Sequence, residues 1–388
     1  MATAKLIDKR FHNVPGKLRI AEMFFDVPVD YSKPLEGSIR LFARSVKRLV
    51  TSPEPEKEKK LPWFVYLQGG PGMGCRPPQE YGWIGTVLDK GYQLLFLDQR
   101  GTGLSSTITA KTLARQGNAV KQAEYLRHFR ADNIVRDCEA VRKCLTADYP
   151  DEQKKWSVIG QSFGGFCAVT YLSKHPEGLR EVFTTGGLAP LVDEPDPVYK
   201  LTYEKVLQRN EAYYAKYPED VERVKKILEY LQQNNVALDS GRLTPRRFQQ
   251  LGIMFGMHGG LDSIHDFPPF RIDAETPRVF FTGEMIYKDM FESYNELKEL
   301  KDVADILATY DDWPALYDEE QLAKNEVPVY SATYVDDMYV HFDLARATAS
   351  KIKGTKQFIT NTMYHDGLRS KSDELMRELF SLKEDSID

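Results

Sequence analysis

The sequence predicts an α/β protein: a mostly parallel sheet flanked by helices, with an inserted helical segment. Three observations predict it. Short apolar runs recur through the first half and again near the end, and each stops at a glycine-rich or polar turn. Helical periodicity occupies intervals between those runs. A long stretch, about 191–315, is helical in pattern and offers no strand fit for a sheet core. Strands alternating with helices indicate βαβ units and a parallel sheet.

Taken in order, RIAEMFFDVPV and SIRLFARSV, within residues 19–47, alternate or run apolar with β-branched and aromatic content, which reads as two strands. Residues 48–60 are rich in proline and charge and are expected to form an exposed loop. WFVYL then precedes QGGPG, QLLFLD precedes QRGTG, and WSVIG precedes QSFGG. EVFTTGG follows, and PVYSATYV and KQFITNT lie far downstream. NIVRDCEAVRKCLTADY, residues 133–149, spaces its apolar residues as a crossover helix does. VYKLTYEKVLQRNEAYYAKY, DVERVKKILEYLQQ and TPRRFQQLGIMFG are expected to be helices of the insertion, the last opened by Thr244 and Pro245. The expected division is a core of residues 1–190 and 316–388 and a helical cap of 191–315.

Composition narrows the function. The 388 residues are 42% hydrophobic and 28% charged, enough apolar surface for a core and against a disordered chain. A net charge of −5 supplies no global basic surplus, so no nucleic-acid partner is expected. Cys75, Cys138, Cys144 and Cys167 form no C-x-x-C pair, which argues against a zinc knuckle and fits a reducing compartment. The charged N-terminus lacks the apolar core of a signal peptide, and the longest apolar runs are too short to cross a bilayer. A cytoplasmic protein without a membrane partner is expected. Oligomeric state is not legible.

The chemistry concentrates at three strand ends. Gly160-Gln161-Ser162-Phe163-Gly164 stands between a strand and a helix. A G-x-S-x-G sequence in that context is a nucleophile elbow: the sharp turn exposes the serine, and the glycines avoid collisions. Ser162 is the candidate nucleophile. The helix that follows offers free N–H groups to a developing oxyanion, Phe163 first. Gly70, in Gln68-Gly69-Gly70-Pro71-Gly72, is expected to supply the second oxyanion N–H. A serine needs a base held by an acid, and chain order for this elbow is serine, acid, histidine. His365, in the turn MYHDG, is the expected base; His341 reads as lying inside a helix. The acid is Asp336 or Asp337, neighbours that periodicity cannot separate. Asp98 and Arg100, in DQRGTG, read as a salt-bridged scaffolding turn.

GGPG, DQRGTGLS and GQSFGG, in that order, resemble the proline iminopeptidase family of α/β-hydrolases, in its larger subgroup found in fungi and some bacteria. The resemblance continues through residues 202–218, GEMIY, DDMYV and YHDGLR, nearly the whole chain. It implies an α/β-hydrolase fold, Ser162 as nucleophile, His365 as base and Asp337 as acid. It also implies a serine aminopeptidase that releases N-terminal proline, or a similar residue, from small peptides with a free N-terminus. The family's usual HGGPG is QGGPG here, which keeps the backbone role of Gly70 but removes an imidazole. An aminopeptidase must bind a cationic terminus, and a carboxylate in the cap serves that need. Glu284 matches the family's cap glutamate; Glu204 and Asp262 are further candidates. Phe255, Tyr287 and Phe291 are aromatics that would suit either a pyrrolidine ring or the cap's own core.

No cofactor or metal is implied. His258, Asp262 and His265 share one face at helical spacing, but Gly259 and Gly260 between them weaken such a helix. The alternative function is an esterase, lactonase or other small-molecule hydrolase using the same three residues. A non-catalytic role is disfavoured by the intact set, and epoxide hydrolases or dehalogenases by serine rather than aspartate at the elbow.

Overall fold

The computed structural model describes residues 3–49, 60–266 and 279–384. Most of the loop expected at 48–60 therefore lies outside the described residues. Among the described residues nine strands form one sheet: β1 (Lys5–Val14), β2 (Leu18–Pro28), β3 (Ser38–Arg48), β4 (Trp63–Leu67), β5 (Gln93–Asp98), β6 (Trp156–Gln161), β7 (Leu179–Thr185), β10 (Val329–Tyr334) and β11 (Thr355–Thr360). Their spatial order is β1-β2-β3-β5-β4-β6-β7-β10-β11. Pairing is antiparallel from β1 to β5 and parallel from β5 to β11. β4, β5, β6 and β10 are buried along almost their whole length, as expected of strands covered on both faces.

Two cores sandwich this sheet. On one face, helix α1 (Ala131–Leu145) and helix α2 (Phe163–Lys174) pack Val135, Val141 and Val169 against Val65 and Val158. On the other, Trp83, Val87, Leu379 and Phe380 pack against Phe64, Phe96 and Phe183. The crossover helix expected over 133–149 from its apolar spacing is α1, and α2 is the helix expected after the elbow.

β1 was not legible. Its residues are exposed along nearly the whole strand, and lysine, arginine and aspartate break any apolar alternation. It forms because β2 offers a partner edge, from Lys5 opposite Asp26 to Val14 opposite Leu18.

Between β7 and β10 lie helix α3 (Asp196–Lys216), helix α4 (Asp220–Gln233) and several shorter helices. Thr244 caps the helix Pro245–Gln249 by accepting the Arg247 N–H, and the chain then tightens into a 3-10 helix over Gln250–Gly256. A small hairpin, β8 (Val236–Leu238) with β9 (Gly241–Leu243), adds strands that the pattern did not announce. These elements share a core of their own, in which Tyr213, Val224, Phe248, Phe255 and Phe281 are buried.

The DQRGTG turn departs from expectation. Asp98 does not pair with Arg100; it accepts the N–H groups of Cys75 at 2.6 Å and Leu104 at 2.8 Å, tying the loop after β4 to the turn after β5. Arg100 instead makes a two-pronged pair with Asp137 of α1, at 2.6 and 2.7 Å, with Tyr31 donating to the same carboxylate. Carbonyls of Pro28, Val29 and His128 take the remaining guanidinium protons. The two side chains are 0% and 2% exposed. Removing one partner of such a pair strands a buried charge. Asp137→Ala is therefore expected to lower stability by about 3–5 kcal/mol in urea unfolding, with activity per folded molecule retained.

Candidate active site

Ser162 ends β6 and opens α2 with φ 55° and ψ −124°. Side chains rarely adopt this region, and here the packing enforces it. A Cβ on Gly160 would fall 2.3 Å from the Gly164 carbonyl oxygen. One on Gly164 would fall 1.9 Å from the Leu67 oxygen, and one on Gly165 2.3 Å from the Gly187 oxygen. The G-x-S-x-G-G pattern thus reflects four backbone segments pressed together beneath the serine. Phe163 is the first residue of α2, so its N–H lies at the positive end of that helix.

His365 sits in the turn between β11 and the helix Gly367–Ser370. Its Nδ1 lies 2.8 Å from Asp337 Oδ2. Asp337 occupies the turn after β10, where its other oxygen accepts the N–H groups of Tyr339 at 2.8 Å and Val340 at 2.9 Å. Those two bonds, absent for its neighbour, separate the two aspartates: Asp336 pairs with Lys205 at 3.2 Å instead. Gly186, with φ +50°, passes beside the pair; a Cβ there would approach both Asp337 Oδ2 and His365 Nδ1 to 3.1 Å. His341 does not lie within a helix. It caps the helix Phe342–Lys351, its ring accepting the Asp343 N–H.

A cavity of about 250 Å³ opens above the carboxyl ends of the strands. Ser162, His365, Gly70 and Glu284 all line it, with Gln68 and Gln161. Gly70 adopts φ +123°, open to glycine alone among ordinary residues, and so presents its backbone at the cavity wall. Tyr66, Tyr81, Trp83 and Leu368 make one apolar side. The Tyr339 ring lies tilted against His365, with ring centres 4.5 Å apart and 51° between their planes.

Electrostatics couple these groups. Burial disfavours the charged form of His365, but Asp337, by charge and hydrogen bond, together with Glu284 and Asp366, outweighs it, and the imidazole pKa is raised. Glu284 keeps accessible surface, which it turns to the cavity, yet protein surrounds the carboxylate. That burial raises its pKa; His365 opposes the shift and Asp337 adds to it. Among the described residues no lysine or arginine pairs with Glu284.

The other two cap acids are elsewhere. Glu204 is exposed on α3 and does not line the cavity. Asp262 bonds Lys216 and the Tyr217 hydroxyl outside it. Neither position supports contact with a substrate amine. Phe255 is buried in the core of the insertion, and Tyr287 bonds the Tyr203 hydroxyl at 3.1 Å. The loose metal constellation disperses: His258 bonds Asp366, while His265 bonds Asp220 and stacks on Tyr217. Glu219, Asp220 and His265 do bring ligand atoms within 4.8 Å of one another. The oxygens of Asp220 are already taken by Tyr213, Arg223 and His265. Sequence reasoning missed Tyr339 and Asp366 beside His365, although both fall inside the DDMYV and YHDGLR motifs.

Comparison with known proteins agrees with this architecture. Residues 62–270, more than half of the chain, match a family model described as the alpha/beta hydrolase fold. A proline iminopeptidase of Aspergillus aculeatus is 50% identical, with 100% of this chain and 99% of that protein covered. A proline iminopeptidase of Aeromonas sobria is 38% identical over 96% of this chain and 99% of its own. The crystal structure of a Mycobacterium smegmatis proline iminopeptidase shares the fold, with a TM-score of 0.51 at 14% identity, covering 92% of this chain and 97% of that one. Extended identity on this scale, over a sheet and an elbow of this form, makes the chain a hydrolase and a member of the proline iminopeptidase family of α/β-hydrolases.

Proposed function

We propose that this chain is a serine aminopeptidase that releases N-terminal proline, or a similar N-terminal residue, from small peptides. The observation that carries this reading is Glu284: a carboxylate lining the same cavity as Ser162 and His365, with no salt bridge to a lysine or arginine among the described residues. A carboxylate that burial penalises gains most from an incoming cation, and the imino nitrogen of an N-terminal proline is one. The insertion between β7 and β10 acts as the cap that brings Glu284 over the site.

In the mechanism, Ser162 Oγ attacks the carbonyl of the N-terminal residue. His365 Nε2 takes the hydroxyl proton and returns it to the leaving amine. Asp337 holds the imidazole in the tautomer with Nδ1 protonated and stabilises its charged form. The N–H groups of Gly70 and Phe163 receive the oxyanion; each such donor is worth about 3 kcal/mol. Water, activated by the same histidine, then releases the acyl group. Gln68 stands where the family has histidine, so the loop contributes backbone rather than an imidazole. No cofactor enters this chemistry. A cytoplasmic location fits the free cysteines, and among the described residues no helix is long and apolar enough to cross a membrane.

The rival reading, an esterase or lactonase, uses the same three residues but has no need of Glu284. Proline arylamide, its N-acetylated form and a simple ester separate the two. Only the free-imino substrate should turn over efficiently. Glu284→Gln is expected to lower kcat/KM on it by about 10²-fold or more, mainly through KM, while leaving ester hydrolysis within a few fold. Equal turnover of free and N-acetylated substrate would defeat the aminopeptidase reading.

A further inference from the structure

The 3-10 segment Gln250–Gly256 and the residues just after it belong to the insertion by packing. Phe255 is buried against Tyr213 and Phe281, with ring centres 5.0 and 5.3 Å away. The same segment is bonded to the turn that carries His365. The Gly256 carbonyl accepts the His365 N–H at 3.2 Å. The His258 N–H donates to Asp366 Oδ1 at 2.9 Å, and His258 Nδ1 lies 2.7 Å from that same oxygen. Ser370 Oγ is also 2.7 Å from that nitrogen. The Tyr339 hydroxyl donates to the Ile253 carbonyl, and Gly256 makes room for it, since a Cβ there would fall 2.3 Å from the Tyr339 ring. Arg209 of α3 donates to the Phe255 carbonyl at 2.9 Å and lies over the Tyr364 ring at 4.9 Å. Residues 364–366 are thus gripped from the sheet side by Asp337 and from the insertion side by this segment.

We infer that His258 is a positioning residue for His365: through Asp366 it fastens the turn that carries the base to the cap, and so sets where the imidazole stands. The inference rests on the reading of His365 as the general base. His258 does not line the cavity and touches no reacting atom; Asp366 and His365 do line it. The Nε2 of His258 is buried without a hydrogen-bond partner. A ring enclosed on that side gains nothing over an apolar one except its bonds at Nδ1, so those bonds are what an imidazole is there for. The turn's own bonds, from the Gly367 N–H to the Tyr364 carbonyl at 2.9 Å and from the Arg369 and Ser370 N–H groups to the Asp366 carbonyl at 2.8 and 2.9 Å, all lie within residues 364–370; the bonds from Gly256 and His258 tie it to the insertion. A displacement of 1 Å at a catalytic group is enough to cost about 10² in rate.

His258→Leu and His258→Asn test this on proline arylamide. The asparagine amide places its N–H close to where Nδ1 stood and keeps both bonds to Asp366; leucine keeps the bulk and the backbone N–H bond but loses the one at Nδ1. The leucine variant should lose about tenfold or more in kcat with KM within about twofold, and the asparagine variant should stay within about threefold of the parent. Should His258→Leu not fold, Asp366→Ala opens the Nδ1 bond from the other side, together with the backbone one, and must show at least as large a loss in kcat. Parent-like kcat in the leucine variant overturns the inference, and so does an equal loss in both His258 variants that tracks a fall in Tm. His365→Ala is measured alongside. If it keeps activity, the reading of the base fails. If it is inactive while His258→Leu is unimpaired, only the fastening fails.

Discussion

Ser162→Ala should abolish hydrolysis of proline arylamide, with a fall in kcat of about 10⁶, while the protein stays folded. The size follows from the role. In the proposed mechanism the Ser162 hydroxyl forms the acyl bond, and neither the histidine nor the oxyanion donors can substitute for it. A residual rate of about 10³–10⁴ over water would remain, from Gly70 and Phe163 together with substrate binding. Stability should hardly change. The strain at φ 55° falls equally on serine and alanine, and the bonds that hold the elbow are backbone ones: Ser162 N–H to the Thr185 carbonyl at 3.1 Å and Gly165 N–H to the Ser162 carbonyl at 2.7 Å. Measured kcat beside an unfolding midpoint checks both halves, and an organophosphonate that labels the parent should leave the variant unlabelled. Turnover retained at the parent rate would remove Ser162 from the mechanism.

How far the site could be read without coordinates depends on the kind of interaction involved. The elbow was legible because its chemistry is local: Gly160, Gly164 and Gly165 are demanded by collisions within a few residues and with the adjoining strand, and glycine spacing records that demand directly. The sheet core was legible for a similar reason, since β4, β5, β6 and β10 are short, apolar and bounded by turns. Asp336 and Asp337 could not be told apart, because what separates them is which carboxylate the N–H groups of Tyr339 and Val340 reach. Only the folded turn decides that. Arg100 and Asp137 lie 37 residues apart, and nothing in a local pattern connects them; the nearer Asp98 was the natural partner to assume. The cap acids show the same limit more sharply. Helical periodicity assigns Glu204 to a face, but the cavity is roofed by the irregular stretch around Glu284, where no period exists to read. His258 carried a signal that pointed the wrong way: its spacing to Asp262 and His265 suggested a shared ligand, whereas Gly259, with φ +66°, starts the helix Gly260–His265 after it, and the three side chains go to different partners.

Asp337→Asn should lower kcat by about 10⁴ near neutral pH, and its pH profile should show why. The substitution is nearly isosteric. The amide oxygen can still accept the Tyr339 and Val340 N–H groups, so the turn is kept. The amide nitrogen would then face His365 Nδ1, and a donor there forces Nδ1 to be the acceptor. The ring proton moves to Nε2, the atom that must take the proton of Ser162, and the base is blocked. The sign of the accompanying pH shift follows from the balance at His365. In the parent, Asp337 is the chief group that raises the imidazole pKa against the opposing pull of burial. The working form is neutral, so activity falls as pH drops through that pKa, and the acid limb of kcat/KM should lie above the ordinary histidine value of about 6.5. Without the carboxylate, burial prevails and the pKa falls, so the acid limb of the variant should move to lower pH even as its plateau collapses. Glu284→Gln, which also removes a group that raises the His365 pKa, should move the limb in the same direction by less, with kcat largely kept. Profiles of the three proteins on one substrate check this ordering. An acid limb unmoved in Asp337→Asn would mean that another group titrates there, and that the pairing of Asp337 with His365 does not govern the base.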